Sequence, residues 1–332
     1  MLKNRVQLVR NYYLKRDDFN LLPTELIIEP TNRCNLKCTM CPIGTGDMTR
    51  PIEYMEFSLF EKLVEEVKGH VEILYLHGLG EPLFHPELTR MVSLCTEKGI
   101  RTCISTNSTN LTDEKSKALI RAGLSMILLP MDGATKETYE SIRVNANFDK
   151  VVRNIRHFLA VKKEMRSDIY TTIQMIVQKE NEEEVKMFQE MWRGVEGVDC
   201  LRTKPVVDFT NEGRGDNFMK NTVLDKPCYY LWHQGSVAAD GSVELCCMDN
   251  NGEMNVGSLK DGSLAEMWNS DKMKEIRRLH AQGRGREIPF CANCGIPQPS
   301  HLGILGTSVI DNYHVKRLLP KYEYFAYKLA DN

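Results

Sequence analysis

Hydrophobic and polar positions between residues 24 and 206 switch repeatedly between the two-residue period of a strand and the 3.6-residue period of a helix. Short apolar runs typical of strands occupy residues 24–30, 71–77, 101–107, 125–131, 170–178 and 198–206. Segments with helical periodicity occupy residues 58–69, 85–99, 112–123, 135–143, 147–165 and 180–195. The pattern predicts successive β-then-α units, and therefore a parallel sheet with helices on its outer face.

Local signals help to place the ends of these elements. Ser58 and Glu61 predict a capping box at the start of the helix at 58–69, and Gly69 predicts its end. Periodicity leaves open whether the sheet is doubly wound and open or is a partly closed barrel. In both cases the loops after the carboxyl ends of the strands carry the functional groups.

The regular alternation stops after the sixth unit, which indicates a second domain. Residues 208–227 lose periodicity and are rich in Gly, Asn and Asp, as is typical of a linker. We expect an N-terminal extension, an α/β domain, a small Cys-rich domain and a C-terminal extension, at residues 1–23, 24–207, 228–300 and 301–332 respectively. The basic and apolar N-terminal segment predicts a short amphipathic helix that covers one end of the core.

Composition narrows the classes of function. The chain has 332 residues and a net charge of -2, with scattered basic residues, which argues against a nucleic-acid-binding surface. It has neither a signal-peptide pattern nor an apolar run of membrane-spanning length, so we predict a cytoplasmic protein without a transmembrane segment. In a reducing compartment, its 11 cysteines indicate metal ligation rather than disulfides.

Three cysteines follow the first predicted strand, in the sequence TNRCNLKCTMCP, at Cys34, Cys38 and Cys41. Buried thiols, a disulfide with a spare cysteine, and a zinc site are the alternatives. A structural zinc site needs a fourth ligand nearby, and residues 42–54 contain neither Cys nor His. Three thiolates with one open position fit a four-iron cluster whose fourth iron accepts another ligand.

This Cys-x3-Cys-x2-Cys motif after a first strand, with glycines at later strand ends, resembles the radical S-adenosylmethionine (SAM) enzyme superfamily. The resemblance implies a partial (β/α)6 TIM-like barrel in which the three cysteines bind a 4Fe-4S cluster and SAM chelates the open iron. It also implies a reductant such as flavodoxin or ferredoxin. Reductive cleavage of SAM would then give a 5'-deoxyadenosyl radical that abstracts hydrogen from the substrate.

Further motifs of the same superfamily imply residues that bind SAM. HGLGEP at residues 77–82 resembles the family's GGEP, in which the acid, here Glu81, binds the SAM amine and a glycine, here Gly80, allows close approach. Leu79 stands where the family has its first glycine. Met40 takes the place of the family's aromatic residue before the third cysteine, and a thioether can also pack on adenine.

Two later stretches add candidate cofactor-binding residues. In ISTNS, Ser105 and Asn107 offer groups for the ribose or carboxylate of SAM, although a polar loop that caps the next helix explains them nearly as well. The segment from MDGATKETYE to FDKVV resembles the subgroup with a C-terminal auxiliary-cluster domain. Within it, Arg143 could pair with the SAM carboxylate or an acidic substrate, and a surface arginine at a helix end is the alternative.

A second set of cysteines follows the linker, at Cys228, Cys246, Cys291 and Cys294. By spacing alone, four thiolates in this arrangement suit zinc or an iron-sulfur cluster. The spacing is similar to that of the twitch domain, the shortened SPASM domain with an α+β fold. The resemblance implies one auxiliary 4Fe-4S cluster, fully ligated by protein and suited to electron transfer, and thus two clusters per chain.

Other residues are weaker candidates. Cys247, beside a predicted ligand, and Cys200, at the last strand of the α/β domain, could donate a hydrogen atom to a substrate radical. The aromatic residues after Cys228 either contact substrate or form the core of the small domain: Tyr229, Tyr230, Trp232 and His233.

The sequence supports several functions. The first is two-electron oxidation of a small polar molecule, such as a sugar or aminocyclitol, with the auxiliary cluster as electron acceptor. Redox-neutral epimerisation or decarboxylation is the second, and modification of a ribosomal peptide is the third. The fourth is a non-catalytic zinc or iron-sulfur module.

Overall fold

The computed structural model describes residues 2–206, 226–292, 294, 304 and 322–325. Its strands are β1 Glu25–Ile28, β2 Lys37–Cys38, β3 Ile73–Leu76, β4 Arg101–Ser105, β5 Met126–Pro130, β6 Arg143–Val144, β7 Tyr170–Val177, β8 Cys200–Pro205, β9 Gln234–Val237, β10 Ser242–Glu244, β11 Asn255–Ser258 and β12 Tyr322–Phe325. Its α-helices are α1 Leu2–Tyr13, α2 Pro42–Thr45, α3 Phe57–Val67, α4 Leu88–Glu97, α5 Asp113–Arg121, α6 Lys136–Ile142, α7 Phe148–Glu164, α8 Val185–Trp192, α9 Tyr230–His233, α10 Leu264–Trp268 and α11 Asp271–Ala281.

The barrel part of the sheet consists of parallel neighbours in the order β1, β3, β4, β5, β7 and β8. Alternate residues of each strand face opposite sides. Ile127 and Leu129 of β5 belong to the large core that includes the helices, whereas Met126 lies in a smaller cluster with Cys103 and Tyr170. The predicted partial TIM-like barrel is confirmed.

Strands from the C-terminal part of the chain extend the same sheet. Strand β9 pairs in parallel with β1, and β10 pairs antiparallel with β9. At the other edge, β12 pairs in parallel with β8. The Cys-rich domain therefore joins the barrel through backbone hydrogen bonds. The predicted linker lies largely outside the described residues, as does most of the predicted C-terminal extension.

Several helix boundaries differ from the sequence prediction. The predicted capping box at Ser58 and Glu61 is wrong, because α3 begins at Phe57 and its N-cap is Glu56, which makes no side-chain capping bond. The start of α4 moves from residue 85 to Leu88, after a separate 3-10 turn. The predicted helix at 180–195 divides into a 3-10 turn at Glu182–Glu184 and the shorter α8. In two of these three cases, a 3-10 turn occupies positions that the periodicity assigned to the helix or that lie directly before it.

Helix α1 packs mainly on the C-terminal domain. Val9 and Tyr12 are buried in one cluster with Tyr229 and Trp232, and the Tyr12 ring meets the Trp232 ring edge-on at 5.6 Å between centroids. The predicted N-terminal helix is thus present and covers a core. Of the helices in the described ranges, none has the length and apolarity that crossing a membrane requires.

Glu184 fixes the start of α6, immediately after the loop at residues 132–133. Its Oε1 accepts hydrogen bonds from the hydroxyls of Thr135 and Thr138 at 2.5 and 2.6 Å, and its Oε2 accepts one from the Ala134 backbone N–H at 2.6 Å. Partial burial opposes ionisation, but these bonds lower the pKa of Glu184 below its ordinary value. The carboxylate therefore stabilises the loop in its charged form.

Replacing Glu184 with Gln is expected to lower the free energy of unfolding at pH 7 by about 1 kcal/mol, because a charged acceptor is lost. Since the folded-state pKa is lowered, this stabilisation is present above the ordinary glutamate pKa of 4.5 and is lost as pH falls through the lower folded-state value. Urea unfolding of the cluster-free chain at several pH values measures the difference. Glu183→Gln, at an exposed neighbouring position, is the control; equal effects of the two changes would contradict the assignment.

Candidate active site

The first cysteine set lies in the loop after β1. Cys38 is buried, and Cys34 and Cys41 are half-buried. The Cys41 backbone N–H donates to the Cys38 carbonyl oxygen at 3.1 Å, and Cys38 pairs with Arg143 across the short ladder of β2 and β6. A segment about a hundred residues downstream therefore holds this loop in place.

Hydrogen-bond donors approach two of these sulfurs. The Leu36 N–H lies 3.4 Å from Cys34 Sγ, Asn107 Nδ2 lies 3.9 Å from the same sulfur, and Arg143 Nη1 lies 4.0 Å from Cys38 Sγ. Burial raises the pKa of Cys34 to about 11 and also raises that of Cys38. Thiols in such a site lose their protons when a cationic metal centre binds, and the donors then stabilise the sulfur charge. The loop therefore fits an iron-sulfur cluster.

Gly80 brings a second loop against the cysteine loop. It has a φ of 82°, and a Cβ atom at this position would lie 2.3 Å from the Thr31 carbonyl oxygen. The following Glu81 N–H donates to the Arg33 carbonyl oxygen at 2.8 Å. Only glycine allows this approach.

The Glu81 carboxylate is buried between two strand ends. Its Oε1 accepts hydrogen bonds from the Thr106 hydroxyl at 2.7 Å and the Leu83 N–H at 3.1 Å, and its Oε2 accepts one from the Asn107 N–H at 2.6 Å. Burial raises the pKa of Glu81, although these bonds oppose the change. An Oε2 lone pair remains for an ammonium group. Ser105, a predicted SAM-binding residue, is half-buried at the end of β4, next to Thr106.

Arg143 forms a buried ion pair with Asp132. Its Nε lies 2.8 Å and its Nη2 lies 2.5 Å from Asp132 Oδ2, while Oδ1 accepts the Ile176 N–H at 2.8 Å. Burial alone would lower the pKa of Arg143, but the charges of Asp132 and Cys38 raise it above its ordinary value. The surface-arginine alternative is wrong. The sequence places Asp132 in a loop at a strand end, but its pairing with Arg143 was not predicted.

Met40 lies in the turn between Cys38 and Cys41 and is half-buried. The structure thus brings together the first cysteine set, Gly80 with Glu81, Asn107 and Arg143. All lie in loops or short segments at the carboxyl ends of the barrel strands, as predicted for a parallel sheet.

The second cysteine set converges in the C-terminal domain, where Cys228, Cys246, Cys291 and Cys294 are half-buried. Cys291 interacts electrostatically with the other three, and Cys228 with Cys246 and Cys294. Burial raises the pKa of Cys228 to about 12. Within the described ranges, no three His, Cys, Asp or Glu side chains surround a position for a single metal ion. An iron-sulfur cluster instead distributes its thiolates over separate irons.

The two candidate hydrogen donors lie in different surroundings. Cys247 is exposed, and it interacts electrostatically with Lys204 and Tyr230. Cys200 is buried at the first position of β8, in a cluster with Tyr170 at the amino ends of the strands. At about 3.3 Å per residue it lies about 13 Å along the strand from Lys204. The structure therefore does not bring Cys200 to the open end of the barrel.

The aromatic residues after Cys228 mostly form the domain core. Tyr229, Trp232 and His233 are buried, and Trp232 Nε1 donates to the Arg16 carbonyl oxygen at 2.9 Å. Tyr230 is only half-buried. Tyr230 interacts electrostatically with Cys247.

Glu29 and Arg50, which sequence reasoning missed, connect the two sites. Glu29 accepts hydrogen bonds from the Leu79 N–H, from Arg50 Nη2 and from the Ala239 N–H, at 3.1, 3.1 and 3.3 Å. Arg50 Nε donates to the Asn250 carbonyl oxygen at 2.7 Å. The only sequence signal for Glu29 was its charge, which stands out at the end of the apolar run at residues 24–30.

Comparisons with known proteins agree with this geometry. The radical SAM superfamily model matches residues 28–191, and the SPASM iron-sulfur cluster-binding domain model matches residues 228–295. The tungsten-containing aldehyde ferredoxin oxidoreductase cofactor-modifying protein of Pyrococcus furiosus is 24% identical over 323 residues, covering 82% of this chain and 87% of its own. The SAM-dependent 2-deoxy-scyllo-inosamine dehydrogenase of Niallia circulans is 20% identical over 274 residues, with 80% and 90% covered.

Among solved structures, BtrN in complex with AdoMet and 2-DOIA matches with a TM-score of 0.60 at 19% identity, covering 84% of this chain and 95% of that one. At this identity the match establishes the fold. Each cysteine set lies inside one of the two regions that the family models match. The cofactors of these two domains are SAM, a 4Fe-4S cluster and auxiliary iron-sulfur clusters. The chain therefore belongs to the radical SAM enzyme superfamily, with a C-terminal SPASM domain.

Proposed function

We propose that this protein is a radical SAM oxidoreductase that removes two electrons from a small polar substrate resembling a sugar or an aminocyclitol. The observation that carries the proposal is the presence of two separate convergent cysteine sets, one with three thiols and one with four. Three thiols leave one iron of a four-iron cluster open, and four thiols close the other. When bound, SAM and the first cluster supply a hydrogen-abstracting radical, and the auxiliary cluster supplies an electron acceptor.

The residues of the chain have distinct roles in this proposal. Cys34, Cys38 and Cys41 hold the first cluster. Glu81 accepts the ammonium group of SAM, and the Arg143 guanidinium, oriented by Asp132, faces its carboxylate. Gly80 lets the backbone reach the cysteine loop. Met40 packs on the adenine, while Ser105 and Asn107 offer polar groups to the ribose.

In the proposed oxidation, a carbinol group of the substrate would give up a hydrogen atom from carbon, a proton from oxygen to solvent, and one further electron, and a C=O bond would form. An auxiliary cluster held by the second cysteine set would supply the acceptor for that electron. The four ligands in the second set are Cys228, Cys246, Cys291 and Cys294, and their full ligation of one cluster suits electron transfer rather than substrate binding at iron. The dehydrogenase relative from Niallia circulans and the BtrN fold support this reaction class.

Anaerobic reconstitution tests the proposal. The chain is expected to bind about eight irons, four for each cluster, and to form 5'-deoxyadenosine from SAM when reduced. Sugars and aminocyclitols are then screened by mass spectrometry for a product that has lost two hydrogens. A product at the oxidation level of its substrate would contradict the proposed oxidation, and failure to cleave SAM would contradict the radical activity itself.

Redox-neutral epimerisation is the second candidate, because the exposed Cys247 lies beside the second cysteine set and near Lys204. A thiol at this place could return a hydrogen atom to a substrate radical.

Replacing Cys247 with Ala is expected to leave oxidation largely intact, because the proposed reaction uses no hydrogen donor. Product formation and 5'-deoxyadenosine formation are measured together. Loss of product while 5'-deoxyadenosine still forms, with solvent deuterium entering the wild-type product, would favour epimerisation instead. Cys95→Ala, in the buried face of α4, controls for loss of a thiol.

A further inference from the structure

Two cationic side chains of β8 face the interior of the barrel. Cys200 of this strand packs against Tyr170 inside the barrel, and the two-residue period places Arg202 and Lys204 on the same face. The register between β7 and β8 sets Gln174 beside Arg202, and Arg202 Nη2 donates to Gln174 Oε1. Both cations therefore lie inside the barrel, farther along β8 than Cys200 and closer to the carboxyl ends of the strands.

Several groups across the barrel locate this pair. His77, at the end of β3, interacts electrostatically with both Lys204 and Arg202. Lys204 also interacts with Asp132 beside the first cysteine set and with Cys247 beside the second. The pair consequently stands between the SAM site and the auxiliary domain, where a substrate would meet both.

The acidic groups around this interior already have partners. Asp132 is paired with Arg143, and Glu81 accepts hydrogen bonds from neighbouring strand ends. Glu25 bonds to Tyr75 and accepts a hydrogen bond from Gln234 Nε2 at 3.3 Å. In the part of the chain that the structure describes, no carboxylate forms an ion pair with Arg202 or Lys204.

Within the described residues, the groups next to these two cations supply no ion-pair partner. Arg202 Nε is buried without a hydrogen-bond partner. Burial lowers the pKa of His77 to about 4, so this imidazole is neutral at pH 7. Burial, together with the charge of Arg202, lowers the pKa of Lys204 to about 8. An anion placed between the two cations would relieve both their repulsion and their loss of hydration.

We propose that Arg202 and Lys204 form an anion subsite inside the barrel and that the substrate carries a carboxylate or phosphate group held there. This inference rests on the proposed function, because it assigns the substrate class of the same site. The planar guanidinium of Arg202 suits two oxygens of either group, and the Lys204 ammonium adds a point charge. The substrate is then a small acidic polyol, a sugar acid or a sugar phosphate.

Binding to the reconstituted full-length chain with SAM present tests this subsite. The probes are matched pairs: glucuronate with glucuronamide, gluconate with gluconamide, and glucose 6-phosphate with glucose. At least one acid is expected to bind about tenfold more tightly than its neutral partner, as a charged hydrogen bond predicts. Comparison of the two sugar acids with glucose 6-phosphate shows whether the subsite prefers a carboxylate or a phosphate group. If no acid is preferred, the proposal is overturned.

Variants of Arg202 and Lys204 test whether these two residues cause the preference for the acid over its neutral partner. Arg202→Gln and Lys204→Met are each expected to remove most of the preference for the acid, and Lys204→Arg is expected to keep it. Arg90→Gln, at an exposed position on α4, is the matched control and should change nothing. If the Arg202 and Lys204 variants keep the full preference, the acid binds elsewhere and the proposal fails.

The carboxylate of SAM is the competing anionic group, and the affinity for SAM shows whether Arg202 and Lys204 bind that carboxylate instead of the substrate. The affinity for SAM and the substrate-free formation of 5'-deoxyadenosine are expected to be unchanged in Arg202→Gln and Lys204→Met. A loss of SAM affinity about as large as the loss of acid binding would assign these cations to the SAM carboxylate and overturn the inference. A wild-type chain that binds the acid but cleaves no SAM would instead refute the proposed function and leave the subsite standing.

Discussion

Replacing Cys38 with Ala is expected to remove about four of about eight irons per chain and to abolish SAM cleavage, whereas replacing Cys291 with Ala removes about as much iron and leaves SAM cleavage in place. The difference follows from the separation of the two cysteine sets. Cys38 interacts with Cys34 and Cys41, while Cys291 interacts with Cys228, Cys246 and Cys294. Each change therefore affects one centre.

Iron content, electron paramagnetic resonance of the reduced protein and 5'-deoxyadenosine formation measure the two effects separately. For Cys291→Ala we expect SAM cleavage without oxidised product, because the electron acceptor is lost. Cys95→Ala, a fully buried cysteine of α4, is the control and should keep both centres. Loss of all the iron in either variant would show that the two sites do not form independently.

Replacing Asp132 with Asn is expected to lower the free energy of unfolding by about 3 kcal/mol, because Arg143 is then a buried cation without its counter-ion. Asp132 has no exposed surface, and Arg143 is 8% exposed. The change also weakens the hold on the short β6 strand, which pairs with the cysteine loop. Urea unfolding of the cluster-free chain measures the effect independently of catalysis.

Two further variants separate charge from packing at this pair. The double change Asp132→Asn with Arg143→Met is expected to recover part of the lost stability, since it removes the unpaired charge. Asp149→Asn, at an exposed position in the first turn of α7, should have little effect. If Asp132→Asn is no more destabilising than Asp149→Asn, the buried pair does not hold the loop.

Much of the fold was predictable from local pattern. Strands such as β5 and β7 consist of apolar runs flanked by helical segments, and chain order then gives the order of neighbours in a barrel. The helix boundaries were less certain, because side-chain preferences near a helix start compete with the turn before it. Ser58 has the right residue type for a cap, yet the N-cap of α3 is Glu56, two residues earlier.

The candidate site was predictable only in part. Cysteine spacing and the glycine before Glu81 are local features, and both proved to be placed at the strand ends. Ser105 and Thr106 are adjacent polar residues, and only the direction of each side chain decides which one meets Glu81. Arg143 has the same sequence signal as a surface arginine, and its burial depends on Asp132, eleven residues away.

By itself, the sequence determined the ligand types, their spacing and the order of strands and helices, because these depend on near neighbours along the chain. The tertiary structure alone decided three further features. Strand β9 pairs with β1, the cysteine loop pairs with β6, and Arg202 with Lys204 faces His77 across the barrel. Contacts of this kind depend on sheet register and closure, which bring together residues far apart in sequence, and local periodicity carries no information about them.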